Sequence, residues 1–348
     1  MMDFLTSRAF KATVFVLLMV GLIVLPFFLR PFGLLLVAMW MVHAVAALGL
    51  NLTLGYAGQI SMAQGAFVGI GAYCTGLMTL AGVPYPIAFL CSGALCFAIG
   101  WILGYPALRV QHHYLAFVTL AFSTLVFLIM RNEEWLTNGI YGLTDIPRPI
   151  LFGWNTGKAQ DFYFFTLLMT SVLAFCVWWI IRSPWGRAFV ALRENPVRAL
   201  SLGVDTRRYT LMAFAMGSSI GGFAGALYAP LVQFFEPNSF SLTLSLKLLL
   251  MVIVGGSGTF FGPFIGAATE VLLPEWLRIA QGYYLIIYAM LVMVLMMFCP
   301  TGIIGLGERI ISHLRQKKIS SERSAQAQAM GQDKVAQTKS DTQGGAGQ

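Results

Sequence analysis

Charge is what this sequence has least of. Asp, Glu, Lys and Arg make up 10% of its 348 residues, where soluble domains carry about 25%. Positions 31–108 contain none across 78 residues. Covering about 30 Å of hydrocarbon takes about 20 apolar residues, so that stretch holds three or more membrane crossings and excludes a water-soluble domain. The short alternating segments of a transmembrane barrel are also missing, which leaves a bundle of helices. Chemistry-bearing patterns are scarce too. His43, His112, His113 and His313 show no zinc spacing, and there is neither a nucleophile elbow nor a metalloprotease motif. Gly153-Trp-Asn-Thr-Gly157-Lys158 has three residues between its glycines and no Ser or Thr after the lysine, so it is not a phosphate loop. The chain is expected to be no enzyme and to bind no cofactor or metal itself. Its five cysteines, Cys74, Cys91, Cys96, Cys176 and Cys299, lie in apolar segments. They read as small membrane-buried hydrophobes rather than disulfides.

What the chain has instead is apolar length. Hydrophobic residues reach 58%, and further uncharged runs recur at 12–29, 110–130, 162–181, 209–235, 248–269 and 280–307. The first run follows Arg8 and Lys11 as a secretory leader would, but it ends in Pro26-Phe-Phe-Leu-Arg30 with no small-residue cleavage site. A retained first helix is therefore expected. Between 182 and 208 six arginines, Arg182, Arg187, Arg193, Arg198, Arg207 and Arg208, face only Glu194 and Asp205, which makes that connector cytoplasmic by the Lys/Arg bias. Segment 131–161 has no such excess and belongs outside, whereas the Lys/Arg-rich tail after 307 belongs inside. The expected architecture is all-α and polytopic, with about ten spans at 12–29, 34–50, 62–81, 84–108, 114–130, 162–181, 209–229, 245–258, 262–275 and 281–299. Both termini are cytoplasmic in that count. A membrane domain over 1–307, with a cytoplasmic loop at 183–208, is followed by a largely disordered tail over 308–348, poor in apolar residues. The net charge of +8 reads as anchor charge at the lipid bilayer, not as a nucleic-acid footprint. Lys247 near the outer end of its span is expected to snorkel to the headgroups rather than serve an ion pathway.

Glycine is abundant, at 36 residues. Gly217, Gly221 and Gly225 stand four apart, as do Gly258, Gly262 and Gly266, and such stripes let helices approach closely in lipid. Two polar breaks interrupt the apolar runs. In Asn51-Leu-Thr-Leu-Gly55-Tyr56-Ala-Gly-Gln59-Ile-Ser61, with Gln64 beyond, the polar side chains are costly toward lipid. The break must face the bundle interior or a boundary, as a translocation-path element or a structural re-entrant turn. Gly255-Gly256-Ser-Gly258-Thr-Phe-Phe-Gly262-Pro263 is a short loop at the cytoplasmic boundary or an unwound pore-lining segment, the first being favoured.

The connector carries helix punctuation. Ser183-Pro184 and Asn195-Pro196 each read as an N-cap followed by a first-turn proline, and Gly203 stands where a helix terminator belongs. Two short helices are expected, the second with apolar Val197, Ala199, Leu200 and Leu202. A two-turn helix does not hold by itself, so it packs on the membrane domain or on a partner.

In their joint order these segments resemble the LivM-type permease subunits of ATP-driven branched-chain amino acid importers. The resemblance covers about 35–307. It is carried by Leu50 to Ser61, Gly65-Ala-Phe-Val-Gly-Ile-Gly-Ala-Tyr73, Tyr114-Leu-Ala-Phe-Val-Thr-Leu-Ala-Phe122, Tyr141-Gly-Leu-Thr-Asp-Ile-Pro-Arg-Pro149 and Ser183-Pro-Trp-Gly-Arg-Ala-Phe-Val-Ala-Leu-Arg-Glu-Asn195. The stretch Ala199 to Gly203, Ala213-Phe-Ala-Met-Gly-Ser-Ser-Ile-Gly-Gly-Phe-Ala-Gly-Ala-Leu-Tyr228 and the glycine-rich break complete it. It implies a second, LivH-like permease, two ABC ATPase subunits that consume the ATP, and an extracytoplasmic amino-acid-binding protein, in a bacterial inner membrane. It also implies that the connector holds the coupling helix for the ATPase, with Arg187, Arg193, Glu194, Asn195, Pro196, Ala199, Ser201 and Gly203 at that contact. The translocation-path candidates are then Asn51, Gly55, Tyr56, Gln59, Ser61, Gln64, Gly255, Gly256 and Gly258. Packing glycines are Gly217, Gly221, Gly225, Gly262 and Gly266. His112-His113 and Asn138-Gly-Ile-Tyr-Gly142 depart from the family pattern, which leaves open the local contacts before Tyr114 and the specificity of that external loop. Alternatives are the same architecture importing urea, short amides or other small polar nutrients, and a self-contained channel or secondary transporter.

Overall fold

The computed structural model describes residues 19–107, 112–151, 154–277 and 302–305, with positions 283, 286, 287, 290 and 293. The chain divides into a unit over 18–304 and a second made of 1–17 with 305–348. All elements named below belong to the first. Residues 12–18 of the span expected at 12–29, most of the span expected at 281–299, and the tail at 308–348 lie outside the described residues.

Helix α1 (Pro31–Leu50) opens with proline in its first turn and runs without interruption into a π-helical segment, Asn51–Tyr56. The break expected at Asn51 is therefore a widening of the helix. The chain leaves helical geometry only after Tyr56, and Gly58 takes φ +70°. Then come α2 (Gln64–Leu80), α3 (Tyr85–Ala107) and α4 (His112–Asn132). A small antiparallel hairpin follows, β1 (Ile150–Leu151) with β2 (Trp154–Asn155), so the superficial phosphate-loop motif contributes to a hairpin. Helix α5 (Ala159–Arg182) leads to the connector helices α6 (Pro184–Glu194) and α7 (Pro196–Ser201). The chain continues through α8 (Thr206–Val232), α9 (Leu242–Gly255) and α10 (Gly262–Leu277). Among the described residues six helical segments are long and apolar enough to cross a membrane: Pro31–Tyr56, Tyr85–Pro106, Leu115–Asn132, Ala159–Arg182, Thr206–Val232 and Pro237–Gly255. The protein is an all-α, polytopic membrane protein.

Burial separates the centre of the bundle from its rim. The most apolar windows of α1 with its π segment and of α8 are 67% and 72% buried, against 33%, 28% and 33% for α3, α4 and α5. Small residues explain why α8 can be central. A Cβ on Gly217 would strike the Gly49 carbonyl of α1, and one on Gly225 would strike the Val68 carbonyl of α2. Gly222, on another face, sits against Ser92 and Cys96 of α3. In lipid, where apolar surface alone does not drive helices together, such backbone approach supplies the packing. The stripe assigned to Gly258, Gly262 and Gly266 needs correction, because Gly258 lies in the loop before α10 at φ +79°. Gly255 faces the Gly262 carbonyl and Gly266 faces that of Met251, and these positions join α9 to α10.

Lys247 has a partner that its own span does not reveal. Its ammonium lies 3.2 Å from Glu270 Oε1 on α10. A carboxylate within a span is costly without a counter-charge, and Lys247, its side chain 53% exposed, supplies one to Glu270 across α9 and α10.

Candidate functional site: a junction of three segments

The connector folds as its punctuation predicts. Ser183 Oγ accepts the Trp185 amide at 3.2 Å, Asn195 Oδ1 accepts that of Arg198 at 3.0 Å, and Asp205 Oδ1 accepts that of Arg208 at 3.1 Å. Each cap satisfies an amide that a helix start leaves orphaned. Gly203, at φ +82°, ends the second short helix. Helix α6 buries Gly186, Ala188, Phe189 and Leu192, and the Phe189 ring meets Tyr209 of α8 edge-on at 6.5 Å. On α7 only Ala199 turns inward. Val197, Leu200 and Leu202 are 73%, 61% and 82% exposed. Arg187, Glu194, Ser201 and Gly203 are exposed as well, and Asn195 and Pro196 are half-buried.

The two polar breaks, whose bonded residues lie 207 and 208 positions apart in the chain, meet through one side chain. Asn51 Nδ2 donates to the Thr259 carbonyl at 2.8 Å, while Asn51 Oδ1 accepts the Gly258 amide at 2.9 Å. Both polar atoms of a buried amide are thereby used, as burial in a bundle requires. The connector joins at the same place. Arg193 of α6 donates through Nη1 to the Gly55 carbonyl in the π segment, and Gly58 lies against the stem of the same arginine. The glycines are required by this crowding. A Cβ on Gly55 would overlap Asn51 and the Gly258 amide, and one on Gly258 would overlap the Arg193 guanidinium. Gly258→Ala, strained also by its positive φ, is expected to displace Arg193. Faster trypsin cleavage after Arg193 in the purified chain would register this, and unchanged cleavage would speak against so tight a fit.

Around this junction the other polar candidates bond to backbone. Gln59 Nε2 donates to the Thr210 carbonyl of α8 at 2.9 Å. Gln64 Nε2 donates to the carbonyls of Ala46 and Gly217, each at 3.1 Å, at the meeting of α1, α2 and α8. Ser61 Oγ accepts the Ala63 amide at 3.3 Å. Tyr56, Gly255 and Gly256 are buried, and the Gly302 backbone rests on Gly256. The structure thus brings Asn51, Gly55, Gly258 and Arg193 together directly. It sets Gln59, Ser61 and Gln64 beside them as ties to neighbouring helices, and leaves Ala199 and Ser201 apart on α7, the first turned inward and the second exposed. Sequence reasoning missed Thr259, which closes the junction through its carbonyl, and Ser245, whose Oγ accepts the Gly65 amide at 3.0 Å. A backbone carbonyl leaves no mark on sequence; Ser245 beside a charged residue in a short span is a faint one.

Comparison with known proteins agrees with this framework. Residues 31–300 match the family described as the permease component of branched-chain amino acid transport systems. The chain is 32% identical over 288 residues to the high-affinity branched-chain amino acid transport permease LivM of Escherichia coli (strain K12), covering 76% of this chain and 68% of that one. It is 28% identical over 209 residues to a probable LivM of Methanocaldococcus jannaschii, covering 59% of each. It is also 26% identical over 217 residues to LsrC, an autoinducer 2 import system permease of Salmonella typhimurium, covering 60% of each. No solved structure matches it. A match across most of the chain, with a helical bundle beneath it, makes this protein a member of the branched-chain amino acid transport permease family.

Proposed function

We propose that this chain is one of two permeases in an inner-membrane importer that uses ATP to move leucine, isoleucine and valine. A second, LivH-like permease, two ABC ATPases and an extracytoplasmic binding protein complete the assembly. The connector faces the cytoplasm, both termini lie on that side, and α7 inserts into the ATPase. The observation that carries this reading is the connector itself. A two-turn helix that exposes Val197, Leu200 and Leu202 around one buried Ala199 presents apolar surface fit for a partner. Its neighbour Arg193 bonds the widened helix, so movement of the connector has a route into the span that begins at Pro31. Selection rests mainly with the binding protein, and ATP-driven alternation of the two permeases gives direction.

Co-expression with the neighbouring ATPase, permease and binding-protein genes tests this reading. The four partners are expected to co-purify with the chain, and vesicles holding the set to take up labelled leucine only with ATP. Uptake by this chain alone, without ATPase, would indicate a self-contained channel or secondary transporter. Leu200→Asp is expected to remove the ATPase from the purified complex while the two permeases stay together; an undiminished ATPase would place the contact elsewhere. A second reading keeps the architecture but changes the cargo to urea, a short amide or another small polar nutrient. The similarity to a permease for autoinducer 2 import favours keeping it. Competition of labelled leucine uptake by urea separates the two.

A further inference from the structure

Away from the junction, a cavity of about 430 Å³ lies between α1, α2, α8, the turn at Pro237–Phe240 and the start of α9, within the range of about 300–1,000 Å³ typical of small-ligand sites. Its wall is graded. The floor is aliphatic, from Val42, Val68 and Leu248, all buried. The mouth is polar, from Asn238, Thr243 and Lys247, all exposed, with Tyr228, Ser239 and Ser241 half-buried between the two. Among the described residues that line the cavity there is one lysine and no carboxylate. We infer that this cavity is a transit site that reads the cargo by its carboxylate and its aliphatic chain, and not by its ammonium. This deepens the import reading above and rests on it.

The charge of the wall decides which end of an amino acid is recognised. A lysine ammonium has three N–H donors. Glu270 of α10, which is not a lining residue, lies 3.2 Å from that of Lys247, and this leaves donors for a second acceptor at the mouth. Hydrogen bonds from a cation to a carboxylate exceed neutral ones in strength. The amide of Asn238 and the hydroxyls of Ser241 and Thr243 line the same cavity and supply neutral donors beside it. The ammonium of the cargo meets only neutral oxygens from the described lining side chains, so it adds less to recognition. The aliphatic chain gains by leaving water for the floor. Because Glu270 shares the Lys247 cation, the pull on an incoming carboxylate is moderated, and the cargo can leave as a conduit requires.

Competition at the wild-type chain gives the test. The full chain in lipid nanodiscs is observed by saturation-transfer NMR, with millimolar L-leucine as reporter and empty nanodiscs as blank. 4-Methylpentanoate keeps the carboxylate and the chain; it is expected to displace leucine at a concentration about tenfold lower, or less, than 3-methylbutylamine, which keeps the chain and the ammonium. Acetate, a carboxylate without the chain, is expected to displace it poorly. The charge-free double variant Lys247→Gln, Glu270→Gln keeps the pair neutral. It is expected to lose the preference for the carboxylate and, in the assembled importer, to take up leucine about tenfold more slowly. Lys247→Arg retains the cation and is expected to retain the preference. No leucine signal at the wild-type chain, equal displacement by amine and carboxylate, or a double variant with the wild-type preference overturns the site; leucine uptake by the wild-type importer then leaves the import reading standing. A wild-type importer that moves none of the aliphatic amino acids overturns both.

Discussion

Arg193→Met is expected to leave the chain in the membrane with its partners attached, yet to lower ATP-driven leucine uptake about tenfold, within the range set by site-to-site couplings of about 1–3 kcal/mol. The guanidinium ties α6 of the connector to the Gly55 carbonyl, and charge-assisted hydrogen bonds of this kind exceed neutral ones in strength. Gly55 belongs to the π-helical extension of α1, which is among the two most buried of the six membrane-length segments in the described residues. A displacement of the connector therefore reaches the π segment through this side chain, beside the packing of Phe189 on Tyr209 of α8. Methionine keeps the stem that lies along Gly58 but removes the donor. Lysine keeps a donor and a charge without the planar fork, so Arg193→Lys is expected to fall between the two. ATPase activity measured beside uptake identifies the defect: hydrolysis that continues while uptake falls signals uncoupling. Uptake equal to wild type in Arg193→Met would show that the link carries no movement.

Asn51→Leu is expected to have the larger effect on stability. The substitution is similar in volume and strands two backbone groups, the Gly258 amide and the Thr259 carbonyl, at about 1–3 kcal/mol for each buried group left without a partner. The two breaks then have no polar tie between them, and the loop between α9 and α10 is released from the π segment. A lower midpoint in thermal unfolding of the detergent-solubilised chain, with new protease cleavage around 256–261, is the expected outcome. Asn51→Asp retains the acceptor for Gly258 but sets a carboxylate oxygen against the Thr259 carbonyl, so it too should destabilise. Thr259→Ser should not, because Asn51 bonds the backbone there and serine keeps the hydroxyl that reaches the Gly256 carbonyl at 2.8 Å. An Asn51→Leu chain as stable as wild type would mean that water or a rearranged loop satisfies both groups.

Local chemistry was legible in the sequence wherever cause and effect lie within a few residues. Ser183 and Asn195 cap helices through amides two or three residues on, and Gly203 ends one by its own φ, so these boundaries in the connector follow from residue type; Asp205 caps α8 in the same way, though its charge alone drew notice. The eight described helices α1 to α5 and α8 to α10 fall where apolar length places spans. The stripe at Gly217, Gly221 and Gly225 announced close packing, although which helices approach it depends on tertiary arrangement. The junction was less visible. Asn51 was marked as costly toward lipid, but its partners are backbone atoms more than 200 positions away, and backbone atoms are the same in every residue type. The π-helical course of Asn51–Tyr56 was hidden for a related reason: a polar, glycine-bearing segment reads as a break, whereas Asn51 and Arg193 hold it in a widened helix. Lys247 was read from its own span; Glu270 comes from the next one, and only their packing reveals the pair.

The account rests on the connector being the place where an engine inside the cell grips this permease. Leu200→Cys, placed on the exposed face of α7 and crosslinked within the assembled importer, tests that most directly. The expected result is a crosslink to the ATPase whose yield changes between ATP-bound and ADP-bound states. Labelling of the same cysteine by a membrane-impermeant reagent from outside intact cells would contradict it.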